Sequence, residues 1–341
     1  MHPLFRLLPV LALVAACGQD QASSPAATKT SLLTPPRGHE SLQLVEAADN
    51  PLTEAKAELG KQLFFDPRLS GTGKTSCSSC HLPEQAFTDG RALSPQDSGK
   101  LNIRNSPTMY NVGYLERLYW DGRAKGLEAN VLAAWKAQTG ADPKVVSERL
   151  AAVPAYQEAF TKAFSAPPSE TTIVHALASF LRSLRSGDSN FDRYQAGDKS
   201  ALTEAQQQGM QLFLGKAGCV VCHTPPLFTN KLFHNVGIGM AKENPDLGAN
   251  AKNALGDAAR PGSFKTPTLR DVQKTAPYFH DGSVATLREA VALMAKGGLD
   301  NPHKDPLLAN RNLTDAELDQ LVAFLESLTG NHPFTPPTLP N

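Results

Sequence analysis

The chain has no net charge, because its 33 Lys and Arg are matched by 33 Asp and Glu. A protein that grips nucleic acid by its phosphates needs a basic excess, so that class of partner is set aside. There is no long hydrophobic run either. The most apolar stretch, MHPLFRLLPVLALVAA over residues 1–16, is too short to cross a bilayer. No segment alternates polar and apolar residues far enough to build a large sheet, which leaves a mainly α fold with long loops. Tryptophan occurs twice, methionine five times and cysteine five times, so each of these residues can be followed individually. At about 150 residues per domain, the 341 residues suggest two domains, and 41% hydrophobic content is enough to give each a core.

Residues 1–16 carry Arg6, an apolar run and then small residues, the pattern of an export signal. The run ends in Leu13-Val14-Ala15-Ala16-Cys17, which resembles a bacterial lipobox. The expectation is a periplasmic lipoprotein of a Gram-negative bacterium, held to the membrane only by a lipid on Cys17. Residues 17–50, rich in Ser, Thr, Pro and Ala, are expected as a flexible tether. Residues 51–195 and 196–341 then form the two domains.

Four cysteines remain, as Cys77-Ser78-Ser79-Cys80-His81 and Cys219-Val220-Val221-Cys222-His223. In an exported chain four cysteines would ordinarily suggest two disulfides. A Cys-x-x-Cys pair can also be a redox dithiol or half of a zinc site. The dithiol needs a βαβ setting, which neither region shows. Zinc-ribbon halves lie about 15–20 residues apart, far closer than Cys80 and Cys219, and zinc does not explain a histidine directly after each pair. Covalent haem does: two thiols form thioethers with the vinyl groups, and the adjacent imidazole ligates the iron. Two such pentapeptides imply two haem c groups.

Related surroundings accompany both sites. Leu52-Thr53-Glu54-Ala55 leads through Leu63-Phe64 to the first, and Leu202-Thr203-Glu204-Ala205 leads through Leu212-Phe213 to the second. The repeat implies two cytochrome-like halves. Thr203 with Gln206, and Thr314 with Glu317, are candidate capping boxes. After the second, Leu318, Leu321, Val322, Leu325 and Leu328 fall at helical spacing. SERLAAVPAYQEAFTKAFSA and ETTIVHALASFLRSLRSG also read as amphipathic helices. The second axial position of each iron separates a saturated electron carrier from an open catalyst. Met109, Met210, Met240 and Met294 are the mature chain's candidate ligands.

Several longer motifs occur in one order: LGKQLFFDPRLSGTGKTSCSSCH, RNSPT at 104–108, YWDGRA at 119–124, CVVCH, and FKTPTLRDVQKTAPYFHDGSVATLREAVALM at 264–294. In these the chain resembles, over nearly its whole mature length, the bacterial di-haem cytochrome c peroxidases and the related MauG-type enzymes. The resemblance implies two cytochrome c-like domains, with the haems facing one another across their interface. It assigns Met294 as the second ligand of the C-terminal haem, where MauG itself has tyrosine. It places Trp120 between the haems as an electron relay. It also implies an interfacial calcium ion held by the Asn105 side chain and the Thr275 and Pro277 carbonyls, oxygen donors suited to that hard cation. His280, in the same segment, is expected near a haem propionate or in a structural role.

Two departures from the family pattern stand out. Classical members block the first haem with a histidine in the loop that follows its attachment site. Here no histidine occurs between His81 and His175, so if the loop LPEQAFTDGRALSPQDSGK supplies no other ligand, that haem is expected to be five-coordinate. The family also places a glutamate where Gln138 falls. An amide can orient peroxide but cannot act as acid or base, so water or another carboxylate such as Asp142 would have to serve. The leading expectation is a peroxidase that reduces hydrogen peroxide to water with electrons from a small cytochrome c or cupredoxin. The alternatives are a MauG-type enzyme that oxidises residues of a protein partner and a non-enzymatic di-haem electron carrier. A homodimer is compatible with all three.

Overall fold

The computed structural model describes residues 33–341. The expected signal, Cys17 and the first half of the expected tether lie outside the described residues. The first half of the fold contains α1 (Glu54–Phe65), α2 (Leu127–Thr139), α3 (Pro143–Ala151), α4 (Pro154–Phe164) and α5 (Glu170–Ser183). The short α6 (Asn190–Gln195) leads to α7 (Glu204–Leu214), α8 (Leu287–Ala295) and α9 (Asp315–Glu326). Among the described residues the sheet content is two antiparallel two-residue ladders, β1 (Arg117–Leu118) with β2 (Ala124–Lys125) and β3 (Phe233–His234) with β4 (Phe264–Lys265). The remainder is long loop interrupted by short 3₁₀ turns.

The helix starts follow their caps. Thr203 N–H donates to Gln206 Oε1 at 2.9 Å and Thr314 N–H to Glu317 Oε2 at 2.8 Å, closing both boxes that the spacing predicts. The segment SERLAAVPAYQEAFTKAFSA departs from expectation by forming two helices rather than one. Pro154 has no N–H to donate and excludes its predecessor from helical geometry. Val153 is accordingly extended at φ −100°, ψ 111°, and Pro154 opens α4.

The sequence repeat has a structural counterpart in two helix crossings, α1 on α5 and α7 on α9. Each depends on a glycine. A Cβ on Gly60 would overlap the Ala176 carbonyl, and one on Gly209 would overlap the Gln320 carbonyl. Gly60→Ala is expected to destabilise the protein by about 3 kcal/mol, the upper end for overpacking where backbone must move, read as a shift in denaturant midpoint. An unchanged midpoint would mean that the crossing can open without cost.

Each crossing sits in its own core. The first is built around Phe64, Phe87, Trp135, Tyr156 and Phe180, and the second around Phe191, Phe213, Phe228 and Phe324. Contacts cross two of the expected boundaries. Residues 33–50 are not simply a tether: His39 is fully buried against Tyr114, Val45 N–H bonds Gly113 O at 2.8 Å, and Asn50 Nδ2 bonds Glu128 Oε1 at 2.8 Å. A few anchors outweigh the loop-like average composition. The C-terminal stretch likewise does not stay with the second half, since Phe334 packs on the first core.

Candidate functional site

Both Cys-x-x-Cys-His motifs form a single 3₁₀ turn, Cys77–Ser79 and Cys219–Val221, with the histidine just beyond. His81 Nδ1 lies 2.7 Å from Phe87 O, and His223 Nδ1 lies 3.0 Å from Phe228 O. A carbonyl only accepts, so Nδ1 carries the proton in each ring and Nε2 keeps its lone pair, the arrangement that prepares a histidine for a metal. Burial lowers the pKa of both rings, that of His223 to about 4, so both are neutral. The accepting residues are held in an unusual state: Phe87 has φ 58° and Phe228 φ 54°. A bulky side chain in the left-handed region costs on the order of 1–3 kcal/mol and persists only where packing enforces it.

All four thiols are unpaired. Burial pushes Cys77 up to about 12 and Cys219 to about 11, the opposite of a redox dithiol, whose thiolate is stabilised. No group of three or more His, Cys, Asp or Glu side chains fit to hold a metal ion unaided occurs among the described residues. Two unbridged thiols beside a neutral imidazole whose Nδ1 is engaged fit a haem.

The first motif opens on a cavity of about 280 Å³. Phe64, Cys77, Cys80 and His81 contribute one part of its wall, Trp135 and Gln138 of α2 another, and Leu227, Thr266 and Pro267 of the second half a third. The structure therefore brings His81, Gln138 and Trp120 to one space. Gln138 Oε1 is buried without a hydrogen-bond partner, as expected of an acceptor meant for a bound molecule. Asp142 is not in this space. It caps α3, accepting from Lys144 N–H at 2.9 Å. The carboxylate on the cavity wall is Asp97, whose N–H donates to Gln138 O at 2.9 Å. Burial raises its pKa, but hydroxyl bonds from Thr75 (2.6 Å) and Thr72 (2.7 Å) prevail and hold it below the usual carboxylate range. Of the loop over residues 82–100, Pro95 and Asp97 reach the wall, and neither offers nitrogen or sulfur.

Trp120 joins the halves. Its Nε1 donates to Asn105 O at 2.9 Å and its carbonyl accepts from Lys265 N–H at 2.8 Å. Pro267 of the second half lies on the same cavity wall as Trp120. Asn105 donates its N–H to His280 O at 2.7 Å and its Nδ2 to Arg91 O at 2.8 Å. This links it to the segment that carries Thr275 and Pro277. His280 is buried, stacked on Phe264 with ring centroids 3.6 Å apart. Met294 is half-buried in the last turn of α8.

The family model of di-haem cytochrome c peroxidases matches residues 54–200, and that of cytochrome c matches residues 206–329. The cytochrome-c peroxidase IdrP1 of Denitromonas iodatirespirans is 38% identical over 320 residues, covering 84% of this chain and 84% of its own. The chain belongs to the di-haem cytochrome c peroxidase family. The methylamine utilization protein MauG of Methylophilus methylotrophus is also 38% identical, over 82% of this chain and 84% of its own. The crystal structure of a MauG-like protein associated with microbial copper homeostasis superposes with a TM-score of 0.75 at 35% identity, over 90% of this chain and 96% of that one. As a di-haem cytochrome c peroxidase family member, the chain is an oxidoreductase of two cytochrome c-like domains that take haem c.

Residues of the site that sequence reasoning passed over include Phe87 and Phe228. Their signal was present, since His-x-Pro is followed in both copies by Phe-Thr. Lys265 was also missed. It is held by Arg117 O at 2.9 Å on the cavity wall, and burial lowers it to about 8 against the pull of Asp121.

Proposed function

We propose that this protein is an exported di-haem peroxidase that reduces hydrogen peroxide to water with electrons from a small cytochrome c or cupredoxin. The observation that carries the reading is the first cavity, where His81, the unpartnered Gln138 oxygen and Trp120 share one space. Haem c, held by thioethers to Cys77 and Cys80 and by His81 Nε2, would supply the redox-active iron at which the peroxide bond is broken. Phe87 O keeps His81 in the ligating tautomer. Gln138 Oε1 accepts a hydrogen bond from peroxide and so orients it, while Asp97, held ionised, can receive a proton near the same wall. Peroxide, two electrons and two protons give two waters; Trp120 offers the electrons a path from the second site.

At that site Cys219, Cys222 and His223 would hold the second haem. Met109 and Met210 pack on the two cores, and the Met240 sulfur lies against Gly262. Met294, in the last turn of α8, would be the second ligand of that haem, as the resemblance to the family implies. Calcium at the interface would take Asn105 Oδ1, the end of the amide turned from Arg91, with the Thr275 and Pro277 carbonyls. The pattern of residues 1–17 supports a periplasmic location with a lipid on Cys17.

The test is a count of haems by pyridine haemochrome, followed by peroxide consumption with a reduced small cytochrome. Two haems per chain and donor-dependent loss of peroxide are expected. A single haem, or peroxide loss indifferent to the donor, would overturn the reading. A second reading, oxidation of residues on a partner protein in the manner of MauG, is favoured by Gln138 in place of a carboxylate. It predicts a mass change on a protein encoded by a neighbouring gene when that protein is incubated with peroxide and this enzyme.

A further inference from the structure

The two histidine sites are built from matching aromatic parts, and one part of the first arrives from an unexpected place. In the second site the Phe228 ring meets Phe191 at 5.2 Å and Phe213 at 5.8 Å, and Phe213 meets Phe324 at 5.2 Å. In the first site the Phe87 ring meets Phe334 at 5.2 Å and Phe64 at 5.9 Å, and Phe64 meets Phe180 at 5.2 Å. Helix α1 gives Phe64 as α7 gives Phe213, and α5 gives Phe180 as α9 gives Phe324. The counterpart of Phe191 is Phe334: both stand edge-on to the carbonyl-bearing Phe, at interplanar angles of 74° and 83°. Phe191 comes from α6 of its own half, whereas Phe334 comes from the C-terminal tail.

That tail is fastened on both sides of the ring. Asn331 N–H donates to Gly187 O at 3.3 Å, and His332 Nε2 lies 3.0 Å from Ser186 Oγ and 3.3 Å from Asp271. The His332 ring packs 4.3 Å from Tyr110, which is itself edge-on to Phe87 at 5.2 Å. Beyond Phe334, Arg68 Nη2 donates to Pro340 O at 2.6 Å.

We propose that Phe334 is a positioning residue for His81. It acts by holding Phe87 in its left-handed conformation, so that the Phe87 carbonyl stays on His81 Nδ1 and fixes the ring's orientation and basicity as a ligand. The inference rests on the reading of His81 as the ligand of the first haem. Failure of that reading would be visible in the parent protein as the lack of a distinct first-haem signal, whereas failure of the inference shows only in the variants.

The experiment compares ferric holoprotein with its Phe334→Ala, Phe334→Leu and Phe334→Tyr variants by electron paramagnetic resonance and cyanide titration. Removing the ring, in the Ala or the Leu variant, is expected to broaden the first-haem signal and change its cyanide affinity by about tenfold, the low end for loss of a group that orients a metal-bound histidine. The second-haem signal should stay fixed, and Phe334→Tyr, which keeps the ring, should match the parent. If Phe334→Ala does not assemble, Phe334→Leu, which retains bulk, gives the same comparison. A first-haem signal identical to the parent in a folded variant without the ring would overturn the proposal. A parallel change at both haems would also overturn it, by making the tail a general clamp.

Discussion

A Gln138→Glu variant consumes hydrogen peroxide about a hundredfold faster than the parent, the lower bound for supplying a positioned acid-base group. Breaking the oxygen–oxygen bond requires a proton to leave one peroxide oxygen and reach the other, and an amide can steer peroxide but not carry that proton. The parent's Gln138 Oε1 has no protein partner, so the exchange forfeits no hydrogen bond and the fold should tolerate it. A carboxyl in that buried place titrates above its ordinary range because burial disfavours its charge. The gain should therefore be present at alkaline pH, where the group is an ionised base, and fade as the pH falls through its raised pKa. Stopped-flow measurement of peroxide loss across pH checks both the size and the direction. A flat profile at the parental rate would place proton transfer elsewhere, with Asp97 the nearest candidate on the cavity wall.

The second large effect concerns stability. His39 is fully buried with neither ring nitrogen hydrogen-bonded, and its pKa falls from 6.5 to about 3. Burial is the main cause. Arg270 and Arg185 add to it, Asp192 opposes it, and the Tyr114 ring packs at 5.4 Å. Because the folded value lies below the unfolded one, the unfolded chain binds the extra proton between them. Stability is unaffected by this residue above pH 6.5, declines as the pH drops toward 3, and declines no further below that. The full loss is about 5 kcal/mol, with about 2 kcal/mol already gone at pH 5, at 1.36 kcal/mol per pKa unit. Urea midpoints of the parent and a His39→Leu variant at pH 7.5 and pH 5 test this. The variant's midpoint should move less between the two pH values, and equal movement would show that His39 does not stay buried and neutral.

What could be read in the sequence was local. Each capping box joins residues three positions apart, each attachment motif is five residues long, and the repeat of Leu-Thr-Glu-Ala marked both helix crossings. Trp120 and Gln138 came from longer motifs, and the structure brings both to the cavity. Where reading failed, the deciding contacts were distant in the chain. His39 and Asn50 dock a segment whose average composition resembles a linker, Phe334 crosses from one half to the other, and Asp142 was named where Asp97 lines the cavity because nothing local says which carboxylate faces it. The Pro154 break is the exception, since a proline in the middle of a helical pattern was itself a stop signal.

The crossing of the tail also bears on how the chain comes to be assembled. Synthesis delivers the N-terminal half first, and domains ordinarily fold as they emerge. Here the aromatic wall behind His81 lacks one panel until Phe334, which follows the whole second core in the sequence, has been delivered. The earlier half must wait, incompletely closed, for the later one, and a fragment cut after residue 195 would never acquire the missing ring.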